Sequence, residues 1–543
     1  MSENVLHTDS EGYRVVRRSD GKVIYERYPD KEYEYLTAEQ AAERILRGEA
    51  LERCYIEALS VQGLQRSYIR LMQSHEQREK VEEALEVGKK PKLNRPIICI
   101  DCLIGTIDLT NLTVEDAVNF GNLLTSAKGQ QTHIWGMASF CDATFIGRTS
   151  FVGATFEDDA FFLSTRFVGH ADFAETLFRA GAKFWGAKFN GASFGRAIFK
   201  NHTSFLGATF GGRVSFHDSC LLSADFTSAK FEKTCYMTNL AAGELNFKGA
   251  NFSENMLISS WEGKQLGEKQ SRIRKILHAR KQEVKKEMEK WKHGPKEKLE
   301  LLSQEKETVE SLLKLLSRWK DSGRGIGAVN FEDTLVQGEL RCDFKYLVPR
   351  KRGFRKWEPV ILPHRIAEGF EGPPKGEEKE SSYWWEEAQK QYAWLKEQYR
   401  KQGRYEDEDK AHWWASECAR RTHGAIDPRR YLKFLFYKWI AGYGVNPWNI
   451  VKTICVVFVI FALLFGTVFY GKLCYEGKPL PADDGFWTRA GNALYFSGIT
   501  YATIGYGDIS PVGIARLLAV VEGLLGIILN AALIVVIFRK IIR

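Results

Sequence analysis

The residues best placed to do chemistry lie near the carboxyl end, in the run Thr503-Ile504-Gly505-Tyr506-Gly507-Asp508. From Thr503 to Gly507 no side chain is charged, so the chemistry would come from the backbone. A cation leaves water only when fixed oxygens replace its hydration shell, and carbonyls contributed by symmetric loops can do this. Gly505 and Gly507 open backbone angles closed to other residues, which lets consecutive carbonyls aim at one axis. The Ile504 and Tyr506 side chains would then point away and brace the strand. The Thr503 hydroxyl would add one more oxygen at the inner end.

Such a loop needs helices to hold it. Residues 451–470 are apolar except for Lys452, Thr453 and Thr467, and residues 514–538 are interrupted only by Arg516, Glu522 and Asn530. Twenty helical residues span about 30 Å, the thickness of a bilayer's hydrocarbon core. Between the two spans lies a shorter helical stretch, Trp487 to Ala502, which leads straight into Thr503. This order of elements, with its TIGYGD run, resembles the pore of two-transmembrane potassium channels, and matches their filter from Thr503 to Gly507.

The resemblance implies K+ held by the backbone carbonyls of Thr503, Ile504, Gly505 and Tyr506, with Asp508 closing the filter. One loop is then a quarter of a ring, so a homotetramer in a lipid bilayer is implied. Gly523 and Gly526 match inner-helix hinge glycines, and Asn530 matches a cavity position that holds Asp or Asn in inward rectifiers. A neutral Asn530 implies weak block by intracellular polyamines or magnesium. Glu522 is expected at an interhelical contact behind the filter rather than in the conduction path. One residue departs from the pattern: many related channels carry Glu four residues before the filter Thr, and this chain has Ile499. A carboxylate partner for Asp508 is therefore expected to be missing. A second GYG, Gly442-Tyr443-Gly444, precedes the first span and lacks both the Thr-Ile and the short helix, so it is not read as a filter.

A different order governs the middle of the chain. Phenylalanines fall at 140, 145, 151, 156, 162, 167, 173, 178, 184 and 189, at alternating intervals of five and six. Small residues such as Ala138, Ala143, Ala154, Ala182 and Ala187 sit two positions before many of them. A helix would scatter this period around its circumference, and a flat strand would put successive rings on opposite faces. A chain that turns a corner every five or six residues sends every ring inward, and its coils stack about 4.8 Å apart. The pattern resembles the pentapeptide-repeat proteins, which implies a right-handed quadrilateral β-helix. The alternating intervals predict about 22 residues per coil, with some corners carrying an extra residue. The recognisable repeat covers roughly 137–254.

The predicted fold class is thus a multidomain membrane protein, a cytosolic β-helix joined to an all-α two-transmembrane pore. Residues 1–95 read as an α+β cap, with a hairpin around Asp20-Gly21 and helical spacing from Thr37 to about Val87. The β-helix is assigned to 96–260, an inserted antiparallel helical hairpin to 261–322, and a terminal coil to 323–350. Leu335-Val-Gln-Gly-Glu-Leu340 echoes Leu240-Ala-Ala-Gly-Glu-Leu245 across that insertion. A linker and an aromatic-rich helix pair, Tyr383 to Tyr399 and Tyr405 to Arg421 with a break at Gly403, fill 351–430. An interfacial helix over Tyr431 to Ile440 then opens the pore domain, 431–543.

The chain's 77 Lys+Arg against 68 Asp+Glu give +9, and a mean hydropathy of -0.30 describes the polar bulk rather than the spans. Arg429, Arg430, Lys433 and Lys438 before the first span, with Arg539, Lys540 and Arg543 after the second, place both termini in the cytoplasm of a two-span cell-membrane protein. The charge is not read as nucleic-acid binding. The ten cysteines are scattered, and the lone Cys99-Ile-Asp-Cys102 is not read as a zinc site. The polar start reads as no secretory signal. No P-loop, HExxH or nucleophile-elbow motif occurs, so neither an enzyme nor an organic cofactor is expected. The function read here is a potassium channel whose cytosolic repeat domain regulates gating or scaffolds partners, through a cytosolic ligand or protein the residues do not name. The alternative is a membrane-anchored repeat protein of the interaction type with a vestigial pore.

Overall fold

A chain that buries one large ring every five or six residues must turn between rings. A computed structural model describes residues 4–8, 14–26, 29–87, 90–120, 132–260, 326–342, 350–352, 356–358, 377–423, 437–481 and 483–542, with isolated positions elsewhere. The chain divides into two compact units, Met1–Gly372 and Pro373–Arg543.

In the first unit, short parallel strands return on themselves. Strands His133–Ile134, Ala138–Ser139, Thr144–Phe145 and Thr149–Ser150 follow one another before Thr155–Phe156 pairs back onto the first. His133 pairs with Thr155 and Thr155 with Leu177, a step of 22 residues, while Phe210 pairs with Phe231 and Phe231 with Phe252, a step of 21. The expected coil of 22 therefore shortens along the stack. The extra residue sits where the register shifts between Phe167 and His170. At Gly169 in that bulge, a Cβ would lie 2.4 Å from the Gly147 carbonyl oxygen of the preceding coil, which excludes a side chain.

Alternate corners are tight turns. The Ala143 amide donates to the Phe140 carbonyl (3.1 Å) around Asp142 at φ 55°, and the Ala154 amide to the Phe151 carbonyl (2.9 Å) around Gly153 at φ 70°. The positive angle favours Gly, Asp or Ser at many of these corners, although Glu175 and Arg196 adopt it too, and the small residue that follows, Ala143 or Ala154 here and Thr165 or Thr176 on later turns, is buried. Rings on successive coils stack face to face: Phe140 on Phe162 at 4.8 Å, Phe162 on Phe184 at 4.6 Å, Phe184 on Phe205 at 4.8 Å. These spacings equal that of hydrogen-bonded strands, so backbone and side chains share one period. Each buried ring contributes roughly 2–3 kcal/mol.

The parallel ladder reaches further toward the amino terminus than the repeat does. Tyr55 and Ile56 pair with Leu103 and Ile104, and Tyr35 with Tyr55, so the boundary expected at 95/96 falls inside a continuous ladder. The strand Cys54–Ser60 escaped the helical reading of 37–87 because it lies between two amphipathic helices, α1 (Ala38–Leu46) and α2 (Val61–Met72). Thr37 and Gln40 form a capping box at the start of α1. The expected Asp20-Gly21 hairpin is present, with Val16 opposite Ile24 and Gly21 at φ 87°. Cys99 and Cys102 are core residues, their thiols pushed up by burial.

The hairpin expected over 261–322 lies outside the described residues, apart from helical positions at 281–282, 285–286 and 288–289. The ladder resumes on its far side, with Ala242 paired to Ile326 and Asn246 to Asn330. Side-chain amides continue the same column, Asn330 Nδ2 donating to Asn246 Oδ1 and Asn246 Nδ2 to Asp225 Oδ1, each at 2.8 Å. The echo between 335–340 and 240–245 is a false register, since Leu335 pairs with Asn251, half a coil away from Leu240.

In the second unit, α3 (Glu377–Lys401) and α4 (Tyr405–His423) join at Gly403, whose φ of 68° ends the first helix. The expected interfacial helix is described only from Tyr437, where 437–441 is helical. Three helices follow: α5 (Pro447–Thr467), α6 (Phe486–Tyr501) and α7 (Ile514–Ile541). Asn446 caps α5 by accepting from the Trp448 amide, and Pro447 occupies its first turn, where no amide donor is needed. Both α5 and α7 are long and apolar enough to cross a membrane, with mean hydropathy 2.5. At 28 residues, α7 is about 42 Å long.

Candidate functional site

The loop at Thr503–Asp508 is held from three sides. The short helix α6 packs on α5 through Phe496 and Phe465, edge to face at 4.9 Å, and buries Ala493 and Ile499 in the same cluster. It packs on α7 through the Ser497 hydroxyl, which donates to the fully buried Glu522 carboxylate. Glu522 thus sits at an interhelical contact behind the loop.

Gly526 explains how closely α7 approaches. A Cβ there would lie 2.3 Å from the Tyr501 carbonyl oxygen, at the end of α6. Gly526 is thus a close-approach residue within α7, which runs unbroken through this point. Gly523 has more room, with the Thr500 carbonyl at 3.6 Å. Asn530 accepts from the Tyr501 hydroxyl at 3.4 Å and is otherwise exposed on the protomer.

Past Tyr501 the backbone alternates in hand. Thr503, Gly505 and Gly507 have φ of 55°, 57° and 82°, while Ile504 and Tyr506 stay out of that region. In a regular strand successive carbonyls point in opposite directions, whereas alternating handedness turns them to one side. The glycines adopt these angles freely, but Thr503 costs about 1–2 kcal/mol. The Ile504 amide donates to the Ile499 carbonyl (2.9 Å), anchoring the start of the loop to the end of α6. The negative end of the α6 dipole faces the same place, which favours a cation. Ile504 and Tyr506 are 55% and 72% exposed on the single chain, so any bracing must come from outside it.

The outer end is tied down by contacts that the residue pattern did not disclose. Leu473–Tyr475 pairs antiparallel with Ile509–Pro511, Cys474 opposite Ser510, and the Glu476 amide donates to the Asp508 carbonyl at 3.2 Å. Asp508 does have a side-chain partner: the Tyr495 hydroxyl donates to its Oδ2 at 2.7 Å. With Ile499 buried in the α5–α6 cluster, a tyrosine one turn earlier takes the role for which a glutamate was found missing.

The second GYG has a structural role of its own. Gly442, Tyr443 and Gly444 all have positive φ and form a buried turn, and the Tyr443 hydroxyl donates to Glu417 Oε2 of α4 at 2.8 Å. Arg420, Arg421 and Lys438 converge on the same carboxylate. Burial alone would raise the Glu417 carboxyl, but Arg420, Lys438 and the Tyr443 hydroxyl outweigh it and bring it to about 2. Arg539, at the end of α7, donates to the Gly444 carbonyl (3.3 Å) and reaches Asp409 of α4 (3.5 Å). The helix pair therefore touches both ends of the route into the spans, and spacing alone gave no sign of it.

Residues 449–543 match the ion-channel family, which supports an ion-channel pore domain at the carboxyl end, and that family implies an oligomeric pore in a membrane. The chain is 38% identical over 64 residues to Protein LctB of Geobacillus stearothermophilus and 28% identical over 88 residues to Protein LctB of Bacillus caldotenax. These matches cover 12% and 16% of this chain, and 48% and 66% of the relatives. No solved structure matches the chain.

Proposed function

We propose that this chain is one subunit of a homotetrameric, potassium-selective channel whose filter is Thr503–Asp508. The observation that carries the reading is the alternation of backbone hand at Thr503, Gly505 and Gly507, between a short helix and a span. Four such loops would present rings of carbonyl oxygens from Thr503, Ile504, Gly505 and Tyr506 to a dehydrated K+, which passes as substrate. The exposed Tyr506 and Ile504 then meet neighbouring subunits. Both termini lie in the cytoplasm, and Asn530 lines the cavity with weak polyamine block. The stacked coils of the first unit form a right-handed, four-sided β-helix of pentapeptide-repeat type that regulates or scaffolds the pore. Four strands per coil and the 21- to 22-residue step support that shape.

The full-length chain in liposomes, loaded with K+ or Na+ and assayed for flux, tests the reading. Selective K+ flux that Gly505→Ala removes supports it, and flux indifferent to that change sinks it. A chain beginning at Pro373 separates regulation from scaffolding, because an unchanged open probability would leave the first unit a scaffold.

A further inference from the structure

Several cations in the second unit are matched by carboxylates. Lys410 and Arg404 share Asp407, Lys390 reaches Glu387, and three cations surround Glu417. One group of cations is matched only weakly. A cleft of about 520 Å³ is lined by Lys396 and Arg400 of α3, Tyr405 and Glu408 of α4, and Arg539 from the end of α7. Three cations from two elements face one carboxylate of the lining.

Lys396 and Arg400 stand four residues apart on one helix face, a like-charge spacing that is unfavourable unless something negative sits between them. Among the described residues Lys396 has neither a hydrogen bond nor an ion pair, and Arg400 has only a 4.0 Å approach to Glu397. Arg539 is held loosely, at 3.5 Å from Asp409 and 3.3 Å from the Gly444 carbonyl, longer than the 2.7–2.9 Å usual for charge-assisted bonds. Its guanidinium has further donors to offer. The half-buried His412 lies beside them: burial lowers its pKa, Lys396 and Arg539 lower it further, and Tyr443 and Asp409 oppose the shift.

We infer that this cleft binds a phosphate-bearing anion, held by Lys396, Arg400 and Arg539. Arginine forks and a lysine point charge around one opening are the donor set that phosphate oxygens take. The ligand would join α3 to the end of α7, so it would favour whichever arrangement of the spans brings Arg539 to Lys396. The shared chemistry has two sources, a free phosphate anion or the headgroup of an anionic lipid. The inference concerns binding and stands whether or not the pore conducts.

Binding is measured on the full-length chain in neutral detergent, in two arms. Calorimetry with inorganic pyrophosphate reads the free anion, and native mass spectrometry after incubation with phosphatidic acid and phosphatidylcholine reads the lipid. Lys396→Gln is expected to weaken binding about tenfold and Lys396→Gln with Arg400→Gln to abolish it, while Lys396→Arg and the control Lys401→Gln leave it within about twofold. Pyrophosphate binding lost in the double variant assigns a free anion, and selective retention of phosphatidic acid lost in the same variant assigns a lipid headgroup. Elution of each variant at the wild-type volume checks its assembly. No binding in either arm by the wild type, or equal binding by the wild type and the double variant, overturns the inference.

Discussion

The stack of coils and the pore loop solve the same problem, lining up backbone groups along an axis, in opposite ways. In the stack each strand is met by the next coil of the same chain, and rings such as Phe162, Phe184 and Phe205 are buried by their own repeats. In the pore domain the chain leaves its work unfinished: Tyr506 is 72% exposed, and Leu463, Leu517 and Ile528 stand out from the spans. The first region is complete in one chain, and the second needs a bilayer and other subunits. Repetition within a chain closes the one, and repetition of the chain would close the other.

That contrast can be broken from either side. The largest effect is expected from Gly505→Ala, which should abolish selective K+ flux while leaving the melting of the stack unchanged; a shifted melt would show that the regions are not separable. Phe184→Ala should act in reverse, destabilising the stack by about 3–5 kcal/mol through the cavity it leaves. Thermal unfolding followed by far-ultraviolet circular dichroism reads it, and a change below about 1 kcal/mol would contradict shared packing between coils.

Glu417→Gln should cost about 3 kcal/mol at the junction, because Arg420, Arg421 and Lys438 lose their common partner. The effect has a sign in pH. A carboxyl held at about 2 rather than its ordinary ~4.3 adds stability above that ordinary value and loses it as pH falls toward 2. Wild type and variant should therefore differ at pH 7, keep about half of that difference at pH 3, and converge only below about pH 2 in protease-susceptibility assays of α4. The smallest effect is expected at Tyr495→Phe, which removes the hydroxyl from Asp508 and should be seen as faster decay of K+ current. An unchanged decay would mean that the Leu473–Tyr475 pairing alone secures the outer mouth.

What could be read from residues differs in the same way. The Phe spacing is a local rule, so it led directly to inward rings and the 22-residue coil, and the TIGYGD run led to the alternating backbone for the same reason. Partners brought together by folding were not legible. Tyr495 with Asp508, Ser497 with Glu522 and Arg539 with Asp409 are 13, 25 and 130 residues apart, and no periodicity links them. Cys54–Ser60 was missed because its helical neighbours dominate any window containing it. Gly526 was legible as a special position, but its close approach to the Tyr501 carbonyl was not.

The proposed pore function rests on the loop from Thr503 to Asp508 passing K+ and excluding Na+. Full-length protein in a planar bilayer, with KCl on one side and NaCl on the other, tests it by the reversal potential. A reversal far toward the K+ equilibrium potential is expected, moving to near zero with Gly505→Ala. A wild-type reversal near zero, or no current from protein shown to be assembled and inserted, would contradict it.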